Sequence, residues 1–255
     1  MFKPQITHFI YPKFGNSFVE CEDNYFFYPK HPSTKTRVFR VAVADGATES
    51  SFSKEWSDIL TCSFRSFSIP LKVSFLDQLP SLRNFWRMEA YKNPLPWYAE
   101  EKVSKGAFST FLGVLFDLEN RQFECLAIGD CCLFQIREDE LITKFPLESS
   151  DNFSNTPYLV SSNPSDNQDL SDFLLDFKGA LERGDVFYMM SDALANWFLH
   201  KAEKNEKPWL ILGESLKGGK KRNPKDSKIV DLINDQRQKK SLKNDDIAIV
   251  HLEMQ

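Results

Sequence analysis

Acidic residues stand where a series of apolar, strand-like runs begin or end. Glu22-Asp23 precede "NYFFYP", and Asp45-Gly46 close "RVFRVAVA". Asp130 lies between "QFECLAIG" and "CCLFQIR", Asp192 follows "DVFYMMS", and Asp245-Asp246 open "IAIVHLEM". A sheet holds side chains at its strand ends more firmly than loops hold theirs. Carboxylates that converge there repel one another unless cations sit between them. Hard divalent ions such as Mg²⁺ and Mn²⁺ take oxygen ligands. Two such ions about 4 Å apart can generate a nucleophilic water and clamp a phosphoryl group. Each acid taken singly also fits an ordinary turn or helix cap, so their order and flanking residues have to decide.

Those acids need a sheet to hold them. "ITHFIYP" and "NYFFYP" are short, aromatic and bounded by Pro, which predicts strands. "RVFRVAVA" is nearly apolar towards its end and is expected to be central in a sheet. In "SFSKEWSDILTCSFRSF", Trp56, Ile59, Leu60 and Phe64 recur at helical spacing, with Ser51 or Ser53 as the expected cap. Further helices are predicted over "FLDQLPSLRNFWRMEAY", despite Pro80, and over "PWYAEEKVSK". From Thr110 through "LITKF", with "ENR" as a turn, the chain reads as an antiparallel meander. Residues 149–172, rich in Ser, Asn, Asp and Pro, make a loop long enough to serve as a lid or substrate flap. "DVFYMMSDALANWF" repeats the order of strand, acid and helix. Helices near "PWLILGESL" and "KDSKIVDLINDQRQKK" precede the last strand, "DIAIVHLEM".

The 255 residues suit one large domain or two small ones. With no internal repeat and no clean boundary, a single domain over 1–255 is expected. A 42% hydrophobic and 27% charged composition supports a substantial core rather than disorder. The net charge of -4 gives no global reason to expect a nucleic-acid partner. No apolar run approaches a membrane span, and "MFKPQITHFIYPKF" lacks the apolar core of a signal peptide. The five cysteines, Cys21, Cys62, Cys125, Cys131 and Cys132, are odd in number and contain no Cys-x-x-Cys pair. Neither a disulfide framework nor a thiolate zinc site is indicated. A cytoplasmic protein with reduced thiols is expected.

The flanks of the acids resemble the metal-dependent protein phosphatases, the type 2C or PPM family, of which this chain reads as a divergent, bacterial-like member. The corresponding segments are "CEDNYFF", "VAVADGATES", "LAIGDCCLFQI", "GDVFYMMSDALANW" and "KNDDIAIVHL", in the family's order, and "GAFSTFLGVLF" matches the strand before Gly129-Asp130. The resemblance spans about residues 14 to 252. It implies an α+β fold, a four-layer αββα sandwich of two packed antiparallel β-sheets flanked by helices. It also implies two Mg²⁺ or Mn²⁺ ions. Asp45 would bridge them. Glu22 and the Gly46 carbonyl would serve one ion, Asp192 and Asp245 the other. Asp130 matches a position linked to a weaker third metal. Asp23 and Asp246 would support these ligands, with a one-residue ambiguity inside each acidic pair. Asp45 and Asp192 are the residues on which catalysis would depend most.

The chain also departs from the family. Where many members continue Asp-Gly with His-Gly or Met-Gly, Ala47-Thr48 follow here. A His there is a proposed general acid, and losing such an acid typically costs about 10²–10⁴-fold. Ser-Asp-Gly has become Ser191-Asp192-Ala193. The phosphate-binding Arg upstream of the acidic pair is absent, which leaves Lys13 or a residue from elsewhere in its place. The reading is therefore a protein serine/threonine phosphatase acting on phosphorylated protein. Its alternative is a weak or inactive phosphatase-like domain that binds a phosphoprotein or regulatory partner. A phosphatase of small metabolites is the third option.

Other candidates yield less. His8, His31, His200 and His251 have no metal-binding spacing, and His251 reads as an ordinary strand residue. Cys131-Cys132 reads as packed thiols rather than a redox pair. Lys217 to Lys243 is locally basic, either a solvated face or a surface for an anionic partner centred on Lys220, Lys221 and Arg222. Trp56, Trp86, Trp97, Trp197 and Trp209 are expected mostly in the core.

Overall fold

The structure is a computed structural model that describes residues 2–48, 50, 52–217 and 227–255. Strands β1 (Pro4–Tyr11), β2 (Asn24–Tyr28) and β3 (Val38–Ala44) are followed by helices α1 (Ser53–Ser63), α2 (Leu71–Ala90) and α3 (Trp97–Ser104). A short β4 (Phe108–Ser109) leads into β5 (Phe111–Asp117), β6 (Gln122–Ile128), β7 (Cys132–Arg137) and β8 (Glu140–Phe145). Then come β9 (Val160–Ser161), the single turn α4 (Leu170–Phe173), β10 (Leu175–Ala180) and β11 (Val186–Met190). Helices α5 (Asp192–Glu203), α6 (Pro208–Leu216) and α7 (Lys228–Gln238) precede β12 (Ile247–Met254).

Period-two alternation explains why these strands build two sheets facing each other. Phe39, Val41 and Val43 of β3, Leu112, Val114 and Phe116 of β5, and Phe123, Cys125 and Ala127 of β6 point to one shared core. Leu133 of β7, Phe187 and Met189 of β11, and Ala248, Val250 and Leu252 of β12 meet them from the other side. The sheet orders are β1-β12-β11-β7-β8 and β10-β6-β5-β3-β2, with antiparallel pairing. Phe116 meets Phe187 edge-to-face at 5.0 Å across the interface, a geometry that adds about 0.5–1.5 kcal/mol to area burial.

The alternate residues of each strand face outward and are covered by helices. Ala42, Phe111, Leu115, Leu126 and Ile128 pack under Trp56, Leu60 and Phe64, and under Phe75, Leu79 and Trp86 of α2. Cys132, Phe134, Met190, Ile247 and Ile249 pack under Trp197, Phe198, Leu212 and Ile233. The result is the expected four-layer αββα sandwich. Pro80 lies inside α2, where it removes a backbone hydrogen bond, and the buried face of that helix offsets the loss.

Several expectations are corrected. The stretch from Thr110 to Phe145 is not one meander: β5 pairs with β6 and β7 with β8, but β6 and β7 belong to different sheets. Gly129-Asp130-Cys131 carries the chain across, because β5, β6 and β7 are buried on both faces and β6 and β7 are covered in different sheets. The N-cap of α1 is Phe52, at φ 62, with no side-chain cap. Ser53 is already helical and uses its hydroxyl elsewhere, and Ser51 lies outside the described residues. Trp97 is 77% exposed, unlike the other four tryptophans.

Residues 149–172 contain two single 3₁₀ turns, β9 and the start of α4. β9 pairs with β4, and the Trp56 indole donates to the Val160 carbonyl at 2.9 Å. The five cysteines are free, and all but Cys62 are buried. Lys220, Lys221 and Arg222 lie outside the described residues. Among the described residues no helix is long and apolar enough to cross a membrane.

Candidate active site

The β3 terminus is fixed by the segment entering β5. The Asp45 amide donates to Thr110 Oγ1 at 2.9 Å, and the Thr110 amide and Ser109 hydroxyl donate back to the Asp45 carbonyl at 2.9 and 2.8 Å. This reciprocal clamp orients the Asp45 carboxylate at the sheet edge. Gly46 follows under crowding: a Cβ there would lie 2.9 Å from the Ser53 backbone and 3.1 Å from the Glu22 carbonyl. Only glycine lets the three segments approach this closely. Glu22 is held on the same side, since the Ser53 hydroxyl donates to its Oε1 at 2.5 Å.

The two acidic pairs divide their labour differently. Asp246 is buried, and its two oxygens accept from the backbone amides of Lys13 at 2.7 Å and Glu22 at 2.8 Å. It staples the β12 entrance to the segment before β2 and so positions Glu22. Asp245 instead turns its carboxylate to Lys243, at 2.7 Å. Arg237 of α7 locks this entrance, donating to the carbonyls of Pro12 and Asp245. Ser191 joins the ends of β11 and β12: its amide donates to the Ala248 carbonyl, and its hydroxyl accepts from the Ala248 amide. Asp192 then opens α5, with Oδ1 accepting from the Ala193 amide at 2.6 Å.

These placements bring carboxylates into one another's fields. Burial raises Asp45 well above the usual carboxylate range, and Asp23, Asp192, Asp130 and Asp245 raise it further. Burial likewise raises Asp23; the Ser191 hydroxyl partly offsets this, while Asp192 and Asp246 add to it. Asp23 Oδ2 is buried without a hydrogen-bond partner. Burial, then Asp192, push Asp130 up to about 7. An acidic cluster of this kind favours bound positive charge.

Part of that charge comes from the chain. Lys243 Nζ lies 2.7 Å from Asp245 and 3.3 Å from Asp192. Partial burial disfavours its charge, but the two carboxylates outweigh this and raise its pKa. Lys13 reaches from the other side, donating to Thr48 Oγ1 at 3.1 Å with Glu22 3.8 Å away. As they stand, no three His, Cys, Asp or Glu side chains among the described residues are grouped to hold a metal ion. The structure thus brings Asp23, Asp45, Asp130, Asp192 and Asp245 together, sets Glu22 and Gly46 beside them, and turns Asp246 to a backbone role.

Sequence reasoning missed the holders of these acids. Ser109 and Thr110 sit in "GAFSTFLGVLF", where the small polar pair inside an apolar run was the available signal. Arg237 and Lys243 sit in the segment read only as basic surface. Ser53 was read as a cap.

No protein-family model matches the chain, and no curated protein matches it in sequence. Solved structures do match. The serine/threonine phosphatase PstP/Ppp of Mycobacterium tuberculosis superposes with a TM-score of 0.60 at 10% identity, covering 99% of each chain. RsbX, solved in complex with magnesium, gives 0.52 at 17% identity over 100% of both chains. The PP2C phosphatase domain of the cell fate determinant SpoIIE from Bacillus subtilis, with a fragment of its regulatory domain, gives 0.51 at 16% identity. That match covers 99% of this chain and 64% of that one. From its strand order, its two helix-covered sheets and these superpositions, the chain has the fold of the type 2C protein phosphatases.

Proposed function

We propose that this chain is a Mg²⁺- or Mn²⁺-dependent phosphatase acting on phosphoserine and phosphothreonine in proteins. The observation that supports it most is the group of carboxylates around Asp45, where burial and neighbouring negative charge hold Asp23, Asp45 and Asp130 above the usual carboxylate range. Their donors are all oxygen, Asp23 Oδ2 has no partner, and the Gly46 backbone leaves no room for a side chain. This chemistry fits hard divalent cations. Asp45 would be shared by two ions, with Glu22 and the Gly46 carbonyl serving one and Asp192 and Asp245 the other. Asp130 would add a weaker third site.

When bound, the ions supply an ionised water near neutral pH and neutralise charge on the phosphoryl group. The protein's part is positional. Ser109 and Thr110 hold Asp45 in place, and Asp246 holds Glu22. Lys13, whose ammonium lies 3.8 Å from Glu22, would take a phosphate oxygen in place of the missing arginine. Ala47-Thr48 provides no histidine to protonate the leaving oxygen.

The test is hydrolysis of p-nitrophenyl phosphate and of phosphopeptides with Mn²⁺, with calorimetric metal titration alongside. Turnover should require the ion, stop with a chelator, and be lost in Asp45→Asn and Asp192→Asn. Turnover indifferent to the chelator and to both substitutions would sink the reading. The Lys243 ammonium between Asp192 and Asp245, together with the missing histidine, favours a second reading: a phosphatase-like domain that binds a phosphoprotein with little turnover. Metal binding without hydrolysis of any phosphopeptide is its signature.

A further inference from the structure

The pole of the sandwich away from Asp45 carries charge of the opposite sign. β3 begins there, seven residues before its acidic end, so the two poles are separated by roughly 20 Å of strand. Three segments meet the N-terminus at this pole: the approach to β3, the β5–β6 turn and the β10–β11 turn. Backbone hydrogen bonds tie them together. The Leu118 amide donates to the Arg37 carbonyl at 2.8 Å, Leu181 to Arg121 at 2.9 Å, and Gly184 to Met254 at 2.7 Å. The loops are therefore mutually braced.

Between them lies a cavity of about 570 Å³, within the roughly 300–1,000 Å³ range of small-molecule sites. Buried Phe2 and Leu118 contribute an apolar edge. Lys35, Arg37, Arg121 and Arg183 line the walls, against Glu119 as the one acid. Arg37 pairs with Glu119 at 3.7 Å. Among the described residues, Lys35, Arg121 and Arg183 pair with no carboxylate. The nearby acids are already engaged. Asp117 accepts from the turn amides of Glu119 and Asn120, and Glu182 and Asp185 both pair with Arg137. The Arg121 guanidinium stands over the Phe2 ring at 5.9 Å. A surplus of unpaired guanidinium on a chain of net charge -4 is local, and it matches phosphate chemistry, which arginine binds through paired N–H donors.

We propose that this cavity binds a phosphorylated, ring-bearing small molecule of nucleotide size. Its phosphates would lie on Arg121 and Arg183, and its ring against the cavity edge that Phe2 and Leu118 form beside the Arg121 guanidinium. A bare anion would use the arginines and make no contact with the apolar edge of the cavity. The site is independent of the carboxylate cluster, so it can be tested on metal-free protein.

The experiment is isothermal calorimetry in chelator and physiological salt, titrating ATP, GTP, AMP, inorganic pyrophosphate and a phosphoserine peptide into the full chain. Arg121→Glu, Arg183→Glu and Asp45→Asn are compared with the parent chain. Both arginines are exposed, so these variants should fold, and circular dichroism checks that they do. At least one nucleotide should bind, pyrophosphate at least about tenfold more weakly. Each arginine reversal should weaken nucleotide binding by about tenfold or more, the scale of one lost charge-assisted contact, and Asp45→Asn should leave it unchanged. Four outcomes would each overturn the proposal. They are no nucleotide binding, binding insensitive to both reversals, pyrophosphate binding as tightly as nucleotide, and tighter binding of the phosphopeptide.

Discussion

Lys243 is the residue on which the metal question turns. Its ammonium lies between two carboxylates that the proposed ion would use, so ammonium and ion compete for the same negative charge. The side chain is 63% exposed, and solvent screens the pair heavily. With that screening, removing a unit charge at this range is worth about 1 kcal/mol, the value for a solvent-exposed pair. Lys243→Ala should therefore bind Mn²⁺ about fivefold more tightly by calorimetry. Its chelated form should melt lower than the parent, because Asp192 and Asp245 lose their counter-charge. Equal or weaker Mn²⁺ affinity would remove Lys243 from this role. The adjacent basic residues were legible only as surface charge, since sequence spacing cannot show that Lys243 folds back on Asp192, 51 residues earlier.

At the scale of elements, the site depends on how strand ends are tied. Asp246 holds the entrance of β12 to the segment before β2 through two partly buried backbone contacts. Truncating it leaves the partly buried amides of Lys13 and Glu22 without their acceptor, at about 1 kcal/mol for each hydrogen bond lost. Asp246→Ala should lower the melting temperature by about 2–4 °C per kcal/mol lost. It should also weaken Mn²⁺ binding, although Asp246 is not itself a proposed ligand, because Glu22 is released. A lower melting temperature with unchanged Mn²⁺ affinity would show that Glu22 needs no such anchor. The strands themselves were legible from alternation and flanking turn residues. Their partition was not: "QFECLAIGDCCLFQIR" reads as a hairpin, yet its halves enter different sheets, because a doubly apolar strand carries no mark of which sheet will cover it.

For the whole molecule, pH acts on buried groups of both signs. Burial pushes His251 of β12 down to about 4, against an ordinary 6.5, with Glu253 opposing and Lys217 assisting. The ring packs on Tyr188 at 4.8 Å. The fold thus prefers neutral imidazole. This contribution is fully present above 6.5, declines as the unfolded chain takes up its proton, and is lost once pH falls through about 4. The difference corresponds to about 3 kcal/mol. His251→Gln should lose less stability than the parent between pH 6.5 and 4 in urea titrations, by about that amount. Parallel pH profiles would show that His251 is already protonated or solvated in the fold. The raised Asp130 runs the other way: its contribution is full below the ordinary carboxylate value of 3.8 and is lost as pH rises through about 7.

By itself the sequence determined the strands, the amphipathic helices and the positions of the acids, because alternation, helical spacing and turn chemistry are local properties. It also carried the order of motifs that resembles the type 2C phosphatases. Only the tertiary structure decided which acid of each pair faces its neighbours, since Asp245 and Asp246 differ by one residue but point to different partners. It also decided that Lys243 lies between Asp192 and Asp245, and that four basic residues from three separate segments surround one cavity. These are contacts between segments far apart in the chain. Packing of two sheets sets them, and no spacing along the sequence encodes them.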